Sequence, residues 1–129
     1  MEIQSNGSLC FRVGKDVFIF EKTNYDKHCQ KHEILKDKLF LQEIENTFIS
    51  PDTITTQPNL NKNITIYYGV LKQIHHNKKN IEIRVLRIPV IKSKKVYFIK
   101  TAFDLWGFQW QIIHSSEKII WQKPKSLIL

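Results

Sequence analysis

Residues 8–20 read Ser-Leu-Cys-Phe-Arg-Val-Gly-Lys-Asp-Val-Phe-Ile-Phe, two β-rich apolar runs on either side of Val13–Asp16. Gly14 can supply the positive φ of a tight turn, so this pattern predicts a short hairpin. From Tyr25 to about Lys36 β-branched residues are few. Thr23 and Asn24 are good N-caps there, and Asp26 suits a first helical turn. Leu39 or Phe40, Ile44 and Phe48 then recur at helical spacing. Two consecutive helices are expected, near 24–36 and 38–48, with Asp37 as the cap between them. Pro51 ends the second, because Ser50 before a proline is pushed out of the helical region.

Residues 50–63 hold two prolines with several Thr and Asn, and are expected to form a loop. Three β-type runs follow, at 64–71, 81–88 and 95–103. The connectors between them, His75–Asn80 and Lys92–Lys94, are short and polar, which favours antiparallel meander pairing over parallel crossovers. The tail from Trp110 to Trp121 fits a last strand or a short helix. The expected architecture is α+β: an N-terminal hairpin and two helices packed on one face of a small antiparallel sheet, within a single domain over 1–129.

Composition narrows the class. With 42% apolar and 25% charged residues the chain has ordinary globular values, and 4 Gly with 4 Pro exclude collagen-like or low-complexity character. No run approaches the ~18 uncharged apolar residues of a membrane span. Met1-Glu2-Ile3-Gln4 carries no basic segment before an apolar run, so no secretory signal is expected. Cys10 and Cys29 are too few for a disulfide framework and read as reduced thiols, which points to the cytoplasm.

Charge adds the first functional clue. The net charge is +8, and it is uneven: residues 1–61 hold 7 basic and 9 acidic groups, whereas 62–100 hold 10 basic groups and one acid, Glu82. A one-signed field of this kind favours polyanions, either nucleic acid or an acidic protein; the plain alternative is a solvated basic face. Arg84, Arg87 and Lys100 lie in the basic strands. If Ile81, Ile83 and Val85 face the helices, Arg84 lies on the opposite face and Arg87 shares the buried side. One of Lys100 and Thr101 must point the opposite way from the other, and the pattern does not choose between them. Either can hold a phosphate, Lys100 as a charge and Thr101 as a hydrogen-bond donor. Tyr67, Tyr68, Tyr97, Trp106, Trp110 and Trp121 interleave with these cations, and one or two of them could stack on unpaired bases.

The sharpest local feature is His28-Cys29-Gln30-Lys31-His32. Histidines at i and i+4 share a helix face. With unperturbed pKa values near 6.5 they can take and give a proton at neutral pH, as phosphodiester cleavage needs. The spacing also occurs on zinc-binding helices, but Cys29 stands where the metalloprotease pattern has Glu. His75, His76 and His114 are further ligand candidates by residue type alone. An ordinary surface pair is the third reading. No metal and no cofactor are expected.

In order, the chain offers a hairpin, a helix with His28-x-x-Lys31-His32-Glu33, a helix ending in Ser50-Pro51-Asp52, and strands ending in Ile99-Lys100-Thr101-Ala102-Phe103. This order resembles the phage-associated branch of the barnase–EndoU–colicin–RelE ribonuclease superfamily, over about residues 8–103. Glu33 follows His32 directly, without the proline of the family's His-Pro-Glu pattern, and Glu82 is the only acid among the strands. The resemblance implies a metal-independent RNA endonuclease of toxin type, with helices on a four-stranded antiparallel sheet. It implies His28 and His32 as acid–base residues and Thr101 as a phosphate contact. Lys100 joins the catalytic set from the charge argument, with Lys31, Arg84, Arg87 and Tyr68 as RNA-binding residues. The implied partners are RNA, with tRNA among the candidates, and a cognate antitoxin or immunity protein, with no membrane. A non-catalytic basic module that binds nucleic acid or an acidic protein is the alternative.

Overall fold

The computed structural model describes residues 1–57, 64–71, 75–77, 80–82, 84–106 and 117–124. The expected hairpin is present: β1 (Glu2–Ile3) precedes β2 (Leu9–Val13) and β3 (Asp16–Phe20), and Gly14 turns at φ 59°. β2 and β3 place Leu9, Phe11, Phe18 and Phe20 in the core. That alternation gives the sheet its first apolar face.

The helical region divides where one helix was expected. α1 spans Lys22–Lys31 and stops at His32 (φ −133°), and a separate 3-10 turn covers Glu33–Lys36. The break lets Leu35 swing into the core, fully buried, while Tyr25 Oη donates to the Leu35 carbonyl at 2.6 Å. Neither Thr23 nor Asn24 caps α1. Its N-cap is Glu21, and Ser8 Oγ accepts from the Lys22 amide at 3.1 Å. α2 spans Lys38–Ile49 and is capped as expected, Asp37 accepting from the Leu39 amide at 2.9 Å. Its buried side (Phe40, Leu41, Ile44, Thr47, Phe48) lies on the sheet, where Phe48 and Phe18 stack at 3.9 Å.

The strands depart from the expected meander in several places. The stretch expected as a loop contains β4 (Thr53–Thr56), whose β-branched residues pair with β5 (Ile64–Val70). A small separate hairpin, β6 (His75–Asn77) with β7 (Asn80–Glu82), takes up the expected polar connector and the start of the second run. The main strand there is β8, Arg84–Ser93, which runs on through Pro89. The third expected strand is broken into β9 (Val96–Ile99) and β10 (Phe103–Trp106), both antiparallel to β8. β11 (Lys118–Gln122) supplies the tail strand, on the far side of β4. The tail residues 107–116, with Trp110 and His114, and loop residues 58–63 lie outside the described residues. So do Ile83 and the side chains of His75, His76 and Trp106.

Among the described residues the main sheet has nine strands, in the order β1-β2-β3-β9-β8-β5-β4-β11, with β10 also on β8. That corrects the implied four strands. It is antiparallel except for one pair: β3 and β9 run parallel, Val17 beside Val96. The parallel pair arises because β9 inserts between the N-terminal hairpin and β8, after the chain has passed through both helices and strands β4 to β8.

Two apolar clusters mark the faces. Leu86, Ile88, Val90 and Ile99 join the helices and the hairpin, whereas Ile64, Ile66, Tyr68 and Val85 form a second cluster. Val85 therefore faces away from the helices, which reverses the parity first considered. Arg84 is on the helix side and Arg87 on the other.

The break between β9 and β10 has a physical cause. Lys100 N donates to the Pro89 carbonyl at 2.9 Å, but Pro89 has no N–H to return the bond that an antiparallel pair would exchange. The Lys100 carbonyl instead accepts from Asn24 Nδ2 of α1, at 2.9 Å.

Candidate active site

Asn24 and His28 of α1 and His32 at its C-cap run in step with the β9–β10 connector and the start of β10. Asn24 Nδ2 donates to the carbonyls of Ile99 (3.0 Å) and Lys100 (2.9 Å). His28 Nδ1 lies 3.3 Å from Thr101 Oγ1. The ring of His32 stacks on Phe103, centroids 5.5 Å apart and planes 14° off parallel. The match is geometric: four helical residues rise about 6 Å and two strand residues about 6.6 Å, so an i, i+4, i+8 stripe can meet alternate residues of an extended segment. Helix and connector form a seam, and His28, His32, Thr101 and Lys100 all belong to it.

His28 and His32 are both part-exposed, and Lys31 and Lys100 are exposed. Burial pushes the His28 pKa below its ordinary value, and the charges of Lys27, Lys31 and His32 push the same way. A backbone hydrogen bond with Lys100 opposes them. The net direction keeps His28 neutral at pH 7, the form that can accept a proton.

Arg87 lies beside Phe103 on the neighbouring strand, its Cζ 5.8 Å from the centre of that ring. Its charge is already matched. Arg87 Nη2 donates to Glu117 Oε2 at 3.0 Å and Nε to Tyr68 Oη at 3.1 Å. Glu117 also accepts from Tyr68 Oη (2.5 Å) and Thr55 Oγ1 (2.6 Å), and its side chain is 0% exposed. Burial and the hydrogen bond with Glu117 push the Tyr68 phenol above its ordinary pKa range. Tyr68 is thus a buried network residue with 1% exposure and not a surface platform for a base. Glu117 was not singled out from the sequence. It is an isolated acid in the tail, and nothing in its spacing ties it to Arg87.

Arg84 stands apart from the seam. It pairs with Asp104 at 2.6 Å and lines a cavity beneath α2 with Leu39 and Phe40. With both arginines ion-paired, the positive excess of the described middle third rests on Lys92, Lys94, Lys95 and Lys100, all exposed. Lys92, Lys94 and Lys95 gather at the β8–β9 turn, where Lys94 takes φ 58° and Lys92 Nζ sits 5.4 Å from the Tyr97 ring. Cys10 and Cys29 are free and buried. Among the described residues no three of His, Cys, Asp and Glu converge as metal ligands, and no helix is long and apolar enough to cross a membrane.

Comparisons with protein-family models, with curated proteins and with solved structures find no match to this chain.

Proposed function

We propose that the α1–connector seam is the active site of a metal-independent RNA endonuclease of toxin type. The observation that carries this reading is the convergence, on one part-exposed seam, of two histidines one helical turn apart with Thr101 and Lys100. His28, held neutral, takes the proton of the ribose 2′-hydroxyl, whose oxygen attacks the adjacent phosphorus. His32, in its protonated form, gives a proton to the departing 5′-oxygen. The products are a 2′,3′-cyclic phosphate and a 5′-hydroxyl. The nucleophile belongs to the substrate, so the step balances without an activated water.

Negative charge grows on the phosphoryl oxygens as this happens, and its stabilisation is usually the largest single contribution to such catalysis. Lys100 and Lys31 supply positive charge at the seam, and the Thr101 hydroxyl supplies a donor. Arg87 acts differently from the first expectation: paired with Glu117, it supports the Phe103 ring on which His32 rests. The test is incubation of the pure protein with total RNA and with tRNA in EDTA, followed by end-group analysis. Fragments ending in cyclic phosphate support the reading. Intact RNA that is nevertheless bound would establish the non-catalytic basic module instead.

A further inference from the structure

A second concave surface lies away from the seam, along the flank where α2 meets the sheet. Leu39, Glu43, Asn46 and Ser50 follow one another there at spacings of four, three and four, a single stripe on the helix. Two cavities adjoin along this stripe, of about 70 and 440 Å³, and both are lined by Glu43. Neither touches His28, His32, Lys100 or Thr101. Thr47 of α2 and Gly69 of β5 both line the larger. A Cβ added at Gly69 would come within 2.3 Å of Thr47 Oγ1, so the Thr47 side chain of α2 packs directly on the backbone of β5.

This groove is edged with exposed apolar side chains. Ile34 and Leu39 (38% and 55% exposed) border the smaller cavity, and Ile49 and Val70 (59% and 46%) the larger. Its charge is opposite to that of the molecule. Among the described residues, Asp37, Glu43, Asp52 and Asp104 line it against Arg84 and Lys123, in a chain whose net charge is +8. Arg84 pairs with Asp104 at 2.6 Å, which sets one of these cations against one of these acids. The last turn of α2 carries no basic residue, and its carbonyl end, at Asn46, Ile49 and Ser50, faces the larger cavity. The helix dipole adds to the negative potential there. An RNA phosphate backbone would be repelled from this groove.

We infer that the groove is a docking site for a cationic amphipathic helix of a partner protein. Its apolar side would seat between the Ile34–Leu39 and Ile49–Val70 edges, and its Lys and Arg would face Glu43 and Asp52. The 12 residues of α2 give the groove a length of about 18 Å, room for three turns of such a helix. Charge complementarity selects the occupant: apolar contact alone would admit many peptides, but only a basic one gains from these acids.

The probe is a fluorescently labelled peptide of Leu and Lys in helical periodicity, beside a second with Glu in place of Lys. Anisotropy is followed with the full chain at low and at raised salt. The Lys peptide is expected to bind, more weakly as salt rises, and the Glu peptide not to bind. Glu43→Lys and Leu39→Glu change part-exposed or exposed positions, and each is expected to weaken binding about tenfold or more. Their circular dichroism and melting should match wild type, and lysine variants at the β8–β9 turn should bind the peptide as well as wild type does. The inference is overturned if the Lys peptide does not bind, if the Glu peptide binds equally well, or if folded Glu43→Lys and Leu39→Glu bind as wild type. Self-association abolished by Glu43→Lys would also overturn it, since the groove's occupant would then be a second copy of this chain.

Discussion

Thr101 Oγ1 stands 3.3 Å from Nδ1 of His28, across 73 residues of sequence. The contact depends on a proline in a third element. Pro89 interrupts the hydrogen-bond exchange between β8 and the connector, and Asn24 of α1 takes up the carbonyl left over. A residue that sits poorly inside a strand thereby creates the docking point for the helix that bears both histidines.

Under the proposed mechanism the pH dependence of cleavage follows from His28. Its pKa lies below 6.5, first through burial and then through Lys27, Lys31 and His32. The rising acid limb of kcat/KM should therefore have its midpoint below 6.5 and should move upward in Lys31→Glu. The linked effect on stability has a definite sign. Between the lowered folded pKa and the unfolded value the unfolded chain binds more protons, so this contribution is complete above the unfolded value and is lost as pH falls toward the folded one. Replacing His28 by Gln should remove that part of the pH dependence, read from urea midpoints across this range.

Asn24 positions the connector, and the proposed proton transfers do not pass through it. Asn24→Ala removes two hydrogen bonds, a cost of about 1–3 kcal/mol. Displacement of Thr101 from His28 should lower kcat by about ten- to a hundredfold with KM less affected. Asn24→Asp keeps the shape but lacks the donor, so it should behave like Ala. Full activity in the Ala variant would show that the seam does not need this tie.

The Arg87–Glu117 pair should be worth more to stability than to chemistry. The side chains are 11% and 0% exposed, so Glu117→Ala strands a buried guanidinium, at a cost of about 3–5 kcal/mol. Chemical denaturation reads this loss. Tyr68→Phe removes one hydroxyl from the same network and should cost less, about 1–2 kcal/mol.

Salt dependence distinguishes the cations. Each lysine that contacts a phosphate of single-stranded RNA contributes a slope of about −0.7 in log K against log salt. Changing Lys92, Lys94, Lys95 and Lys100 to Gln should flatten the slope of RNA binding. Arg84→Gln should leave it nearly unchanged, because that charge is held by Asp104 on the helix side of the sheet.

Much of this architecture can be read from the chain. The Val13–Asp16 turn, the Asp37 cap and the stop before Pro51 are local devices with local signatures, and all three stand where the pattern puts them. The histidine stripe was legible for the same reason, since i, i+4 spacing is a property of the helix alone. The less legible features depend on distant partners. Nothing local indicates that Asn24 bonds Lys100 and not its own helix, or that β9 enters beside β3. The parity of β8 was open because both of its faces are apolar, Val85 on one and Leu86 on the other. Alternation alone separates Arg84 from Arg87, and that ambiguity concealed only which of them lies on the helix side. Glu117 was missed because its partners Thr55, Tyr68 and Arg87 come from three different strands.

The most direct test of the seam is the rate of RNA cleavage in EDTA by wild type and by the double variant His28→Ala, His32→Ala. The account predicts that the variant cuts about two to four orders of magnitude more slowly, the usual worth of a general acid or base, while its affinity for RNA changes far less. Cleavage by the double variant at the wild-type rate would contradict it.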